Sequence, residues 1–236
     1  MTLTSNSSPM LTERGAVSAA AVLRNGQIEQ IVEKQYISAR REMGFIVGGT
    51  GYQVIDILGA KVAVLVGDDL SHLNELEDDA DFVVSINARR YGKGLLSYRH
   101  EMLRRLSYTE GRDVIFINQV GGSGDIVFDG TSGVMNREGK PELLMKSFEE
   151  DFQIYDTLAD NESFDVPYTS YNDRTRMIYE AACLGLRDYF HKNGYKKACV
   201  GLSGGIDSAV VACLAVGALG KENVRVLLMP SPFTPN

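Results

Sequence analysis

The sequence predicts an α/β protein, and three observations carry that reading. Residues 198–202 form an apolar run that leads into Ser203-Gly204-Gly205-Ile206-Asp207-Ser208 and then into a helix-like run over 209–219. A second apolar run over 224–229 completes a βαβ unit, which implies parallel strands. Upstream, Val62-Ala63-Val64-Leu65-Val66 and Phe82-Val83-Val84-Ser85-Ile86 are nearly continuous apolar runs, as in strands covered on both faces.

The remaining elements follow in order. Residues 1–14 read as a loose, disordered tail. Residues 19–23 and 28–32 flank Arg24-Asn25-Gly26-Gln27 and read as a hairpin turning on Asn-Gly. Residues 52–58 and 61–66 form a second strand pair around Gly59-Ala60. Residues 92–107 are amphipathic and helical in pattern, with Lys93, Arg99, Arg104 and Arg105 forming a solvated basic side. Residues 113–118 are a strand, 121–124 a glycine loop, and 126–128, 132–135 and 143–148 short strands, with a turn at 137–140. A polar stretch with one proline near 160–167 reads as a linker. Asn172 or Asp173 caps the next helix, whose apolar positions include Met177, Ala181, Leu184 and Tyr189, and Gly194 ends it.

Composition narrows the function classes. With 236 residues, 44% hydrophobic and 23% charged, the chain is ordinary globular material for one large or two small domains. Its net charge of −7 offers no basic field for nucleic acid. No apolar stretch reaches membrane-spanning length, and residues 1–13 lack the basic and apolar regions of a secretory signal. Cys183, Cys199 and Cys213 fit no metal or disulfide spacing, so buried free thiols and a cytoplasmic location are expected. His72, His100 and His191 are scattered and expected in surface or capping roles.

The chemistry concentrates at Gly201-Leu202-Ser203-Gly204-Gly205-Ile206-Asp207-Ser208. Glycine tolerates positive φ and brings no Cβ, so a Ser-Gly-Gly turn lets the backbone approach an anion closely. The helix that follows presents unpaired N–H groups and its positive dipole end. Ser203 and Ser208 add hydroxyl donors, and the Asp207 carboxylate suits Mg²⁺ on a polyphosphate. The spacing and lysine of a Walker loop are absent. The plain alternative is a glycine-rich βα turn without a ligand.

The same residues resemble the PP-loop of the N-type ATP pyrophosphatases. With the segments 186–189, 192–194 and 228–231, and with 116–122, 127–130 and 148–151 upstream, the chain resembles the glutamine-dependent NAD synthetases from about residue 19 to 231. GMP synthetase and asparagine synthetase join such a loop to differently built glutaminase domains, so the upstream segments argue against them. The resemblance implies a partial nitrilase-like αββα sandwich over 15–158, a linker over 159–172, and over 173–236 the first βαβ portion of a Rossmann-like PP-loop domain. By that resemblance both domains are truncated, the first at its start and the second at its end. It also implies an ATP- and Mg²⁺-dependent ligase that adenylates nicotinic acid adenine dinucleotide, from which ammonia displaces AMP. Residues 201–208 would hold the ATP phosphates and Asp207 the metal.

The departures are specific. The family's glutaminase uses Glu, Lys and Cys, and the nucleophile's place reads Val66-Gly67-Asp68-Asp69-Leu70, so no thioester can form there. Lys34 stands where the family's lysine would be, yet reads as a surface-strand lysine without a catalytic role. The glutamate would precede the chain, and Asn87-Ala88-Arg89-Arg90 sets two charges beside the old pocket. Two readings remain. One is a ligase part that uses free ammonia; the other is a non-catalytic scaffold or inactive fragment, as a homo-oligomer or with a companion chain. Neither involves nucleic acid or membrane.

Overall fold

The computed structural model describes residues 2–5, 10–13, 15–37, 46–49, 52–72, 76, 80–164 and 171–229. The stretch expected to be a loose tail carries strands β1 (Thr2–Ser5) and β2 (Met10–Thr12). β2 pairs with β3 (Gly15–Val17), and β1 pairs with β4 (Ala19–Arg24), so backbone pairing orders both. β4 turns into β5 (Gln27–Glu33) through Asn25 at φ 52° and Gly26 at φ 78°, the left-handed pair that a two-residue hairpin turn demands. β1, β4 and β5 make one three-stranded sheet.

A six-stranded sheet forms the centre. β6 (Gln53–Ile57) pairs antiparallel with β7 (Ala60–Val66), and β8 (Phe82–Asn87) and β9 (Asp113–Asn118) continue parallel to β7. β12 (Gly133–Met135) and β13 (Pro141–Leu144) close the other side antiparallel. The continuous apolar run of β7 is explained by the layers. Ala63 and Leu65 face Leu103 and Leu106 of the helix α2 (Leu95–Glu110), with Val83, Val114 and Phe116 beside them. Val62, Val64 and Val66 face Ala20, Val22 and Val32 of the smaller sheet. Each fully buried valine contributes about 2 kcal/mol, so both faces hold the sheet firmly. The layers run helix, sheet, sheet. A one-turn helix, α1 (Asp69–His72), caps the end of β7.

Two expectations change here. The glycine loop at 121–124 is mostly strand: β10 (Val120–Ser123) pairs with β11 (Ile126–Asp129) in a tight hairpin. The basic side of α2 is not wholly solvated. Arg99 is buried and donates to both carboxylate oxygens of Asp129, at 3.2 and 2.5 Å, while its guanidinium lies 5.2 Å from the Phe116 ring centre.

Helix α3 (Tyr171–Lys192) starts slightly before the expected cap and ends at Gly194, φ 71°. Its Met177, Ala181 and Leu184 pack on Leu96 and Phe148, with Val120 and Val127 of the hairpin beside them. β14 (Ala198–Gly201), α4 (Ile206–Leu219) and β15 (Val224–Leu227) form the expected βαβ unit, with β14 and β15 parallel. Residues 165–170 of the expected linker, and Pro230 and Ser231, lie outside the described residues. All three cysteines are free, but only Cys183 is buried. Cys199 and Cys213 are exposed, because no described element covers those faces of β14 and α4.

Candidate functional site

Between β14 and α4 the backbone bends through Leu202, whose N–H donates to Leu227 O at 2.9 Å and so ties the loop to the end of β15. Gly204 takes φ 86°, and a Cβ there would meet nothing within 4 Å, so the loop is open to solvent. Ser208, in the first turn of α4, binds the loop from inside. Its Oγ donates to Gly205 O at 2.9 Å, accepts from Ser203 N at 3.2 Å, and lies 3.1 Å from Ser203 Oγ. Gly205, the N-cap of α4, supplies no side-chain cap, which leaves the first-turn N–H groups directed at the same opening. Gly201, Leu202, Ser203, Gly204, Gly205, Ile206, Asp207 and Ser208 are thus gathered at the C-terminal end of a parallel strand pair. That is where α/β sheets bind ligands. The arrangement can receive an anion through backbone N–H groups and two hydroxyls. Asp207 stands exposed in the first helical turn.

A second locus lies at the end of β7. The chain turns there from strand through Gly67, φ 62°, into α1. A Cβ built on Gly67 would sit 3.3 Å from both Cε and Nζ of Lys34. Lys34 is buried rather than on a surface strand, and its ammonium lies 3.7 Å from Asp68. Asp69 holds the two strands in this relation. Its carboxylate accepts N–H groups from Gln35, Tyr36 and Val66, at 2.7 Å for Tyr36. Burial raises the Asp69 pKa, an effect that these hydrogen bonds and Lys34 only partly offset.

Of the two arginines expected beside this elbow, Arg89 arrives and Arg90 does not. Arg89 donates to Ser71 Oγ at 2.7 Å, lies 3.5 Å from Asp68, and reaches Gly67 O. Burial lowers the Arg89 pKa, against the pull of Asp68. Arg90 instead pairs through its backbone with Phe128 of the hairpin and lines a cavity with Tyr91, Asp125, Ile126 and Val127. Sequence reasoning passed over Asp69; its place directly after the elbow was the signal that could have found it.

The NAD synthase family model matches residues 178–236. The glutamine-dependent NAD(+) synthetase of Aquifex aeolicus is 32% identical over 257 residues, covering 92% of this chain and 45% of that protein. Its counterpart in Xanthomonas campestris is 34% identical, with 92% of this chain and 42% of that protein covered. The chain is a relative of the glutamine-dependent NAD(+) synthetases.

Among solved structures, the Acinetobacter baumannii synthetase in complex with ADP superposes with a TM-score of 0.78 at 29% identity, over 96% of this chain and 45% of that one. A carbon-nitrogen hydrolase superfamily protein of Xanthomonas campestris matches 58% of this chain and 56% of its own at TM-score 0.52 and 18% identity, which shows the nitrilase-like fold. The chain spans less than half the length of the synthetases it matches. It is an α/β protein of nitrilase-like layers joined to a Rossmann-like unit.

Proposed function

We propose that this chain is part of an NAD synthetase-type ligase, in which residues 201–208 hold the phosphates of ATP while the carboxylate of nicotinic acid adenine dinucleotide is adenylated. The observation that carries the reading is the open Ser203–Ser208 loop at the uncapped N-terminus of α4, inside the segment matched to NAD synthase. The A. baumannii relative in complex with ADP supports a nucleotide as the anion. The backbone N–H groups would orient the phosphates and stabilise charge that builds up at the α-phosphate. A non-catalytic scaffold is not favoured by these relatives.

Asp207 fits Mg²⁺, which takes one or two carboxylates together with phosphate oxygens and water. Among the described residues no cluster of three or more His, Cys, Asp or Glu could hold a metal alone, consistent with a cation that arrives with its nucleotide. When bound, Mg²⁺ would neutralise phosphate charge.

Gly67 offers no nucleophile, so ammonia is the proposed nitrogen source and glutamine is not hydrolysed at this elbow. Helix α4 exposes Ile206, Val210 and Val211, and β15 exposes Val226 and Leu227. A helix apolar all round and a parallel strand pair are normally covered on both sides. A further layer, from a second copy or a companion chain, is proposed to cover them, and the site to work in the cytoplasm.

The test is Mg²⁺-dependent ATP binding by calorimetry, comparing wild type with Asp207→Ala. Loss of the Mg²⁺-dependent part in a folded variant is expected; unchanged binding removes Asp207 from the site. NAD formation with ammonium but not with glutamine would support the ligase reading, whereas product from glutamine would refute the role given to Gly67.

A further inference from the structure

Helix α3 closes the open edge of the β10–β11 hairpin with side chains. Gly122 stands opposite Val127 in that hairpin. Its N–H donates to Asp188 Oδ2 at 2.6 Å, and its carbonyl accepts from the Lys192 ammonium. Asp188 and Lys192 are one helical turn apart and 3.9 Å from each other. The pair therefore supplies at one residue the acceptor and the donor that a third strand would supply. A main-chain group left unpaired in such a place costs about 1–3 kcal/mol, and an open strand edge invites pairing with another chain.

Glycine makes the approach possible. A Cβ on Gly122 would lie 3.2 Å from Gly185 Cα and 3.2 Å from Asp188 Cβ, and a Cβ on Gly185 would lie 3.0 Å from Val127 Cγ2. Helix and hairpin meet backbone to backbone. On another side α3 holds α4, with Cys183 Sγ 3.7 Å from Leu214 O and Arg187 Nε donating to Ala218 O at 3.4 Å. The seat of α3 on the hairpin thus sets where α4 and the loop before it lie relative to the nitrilase-like layer.

We propose that Asp188, with Lys192, is a positioning residue that seats the βαβ unit on the nitrilase-like layer by acting as a substitute strand edge for Gly122. This concerns placement and does not depend on which phosphate compound the loop holds.

The test uses the full chain in a Cys183→Ala, Cys199→Ser background. One nitroxide sits on Asp125→Cys in the hairpin turn and one on native Cys213 in α4. The distance distribution is read by pulsed electron spin resonance, and amide exchange by NMR. The parent should give one narrow distance and slow exchange at Gly122. Asp188→Ala should broaden the distance and speed Gly122 exchange about tenfold, the loss of one net hydrogen bond, while β8 and β9 stay protected. Asp188→Asn, which keeps an acceptor, should largely restore the narrow distance. A narrow distance and slow Gly122 exchange in Asp188→Ala would overturn the proposal. If that variant loses protection in β8 and β9 as well, Lys192→Met decides, because its side chain is mostly exposed. Broadening with β8 and β9 intact supports the proposal, and no broadening overturns it.

Discussion

Lys34 and Gly67 stand against each other across the ends of two strands, so that a Cβ at position 67 would touch both Cε and Nζ of the lysine at 3.3 Å. Asp69 maintains this relation with three backbone N–H groups. The elbow therefore persists without a nucleophile. Gly67→Cys should place a thiol beside an ammonium, which lowers a cysteine pKa from its free value of about 8.5. The left-handed φ of 62° should cost about 1 kcal/mol of stability. The pH dependence of iodoacetamide alkylation of the introduced thiol measures this, with an inflection expected below about 8. An inflection at or above the free value would show that the Lys34 charge is neutralised by Asp68.

Arg99 and Asp129 should behave as a buried pair. Thr131 Oγ1 also donates to Asp129 at 2.9 Å, while Arg99 Nε has no hydrogen-bond partner among the described residues. Breaking the pair with Asp129→Ala should destabilise by about 3–5 kcal/mol, because an uncompensated guanidinium stays buried. Arg99→Met with Asp129→Leu should recover much of that loss. Urea unfolding of wild type and both variants checks it; a double variant as unstable as the single one would contradict the account.

His100 predicts an acid dependence. Burial first, and the neighbouring Arg99 second, lower its pKa from 6.5 to about 4. A base with a depressed folded pKa contributes stability that is present above its unfolded pKa. That stability is lost as pH falls from about 6.5 towards 4, where only the unfolded chain takes up the proton. The loss from this group should approach about 3 kcal/mol at most. His100→Gln should flatten the curve in that window, as read by urea midpoints at about pH 7 and about pH 5. Parallel curves for both proteins would exclude His100 as the cause.

Gly204→Val should impair phosphate binding without unfolding the protein. The site is open, so the side chain meets nothing, but φ 86° is closed to a β-branched residue. The loop must then change shape. ATP affinity should fall at least about tenfold, with the thermal midpoint moving by a few degrees at most. Affinity equal to wild type would show that the left-handed turn plays no part in binding.

The sequence by itself determined most strands of the central sheet, the βαβ unit and the serine-glycine loop within it, but not β1 to β3 or the strand at Val120–Ser123. Asn25-Gly26 forces a tight hairpin through local sterics, and the unbroken apolar run of β7 demands cover on both faces. Ser203 to Ser208 carries its chemistry within six consecutive residues. These are properties of neighbours along the chain. Tertiary structure decided what depends on residues far apart. It buried Lys34 against Gly67, drew Arg99 out of a basic helix face into a pair with Asp129, and made Gly121-Gly122 an edge for α3 to seal. It also left Cys199 and Cys213 exposed where apolar flanks suggested burial. A period along the chain records which residues share a face, but not what that face will meet. The partner of a charge or a glycine is set only when distant elements pack.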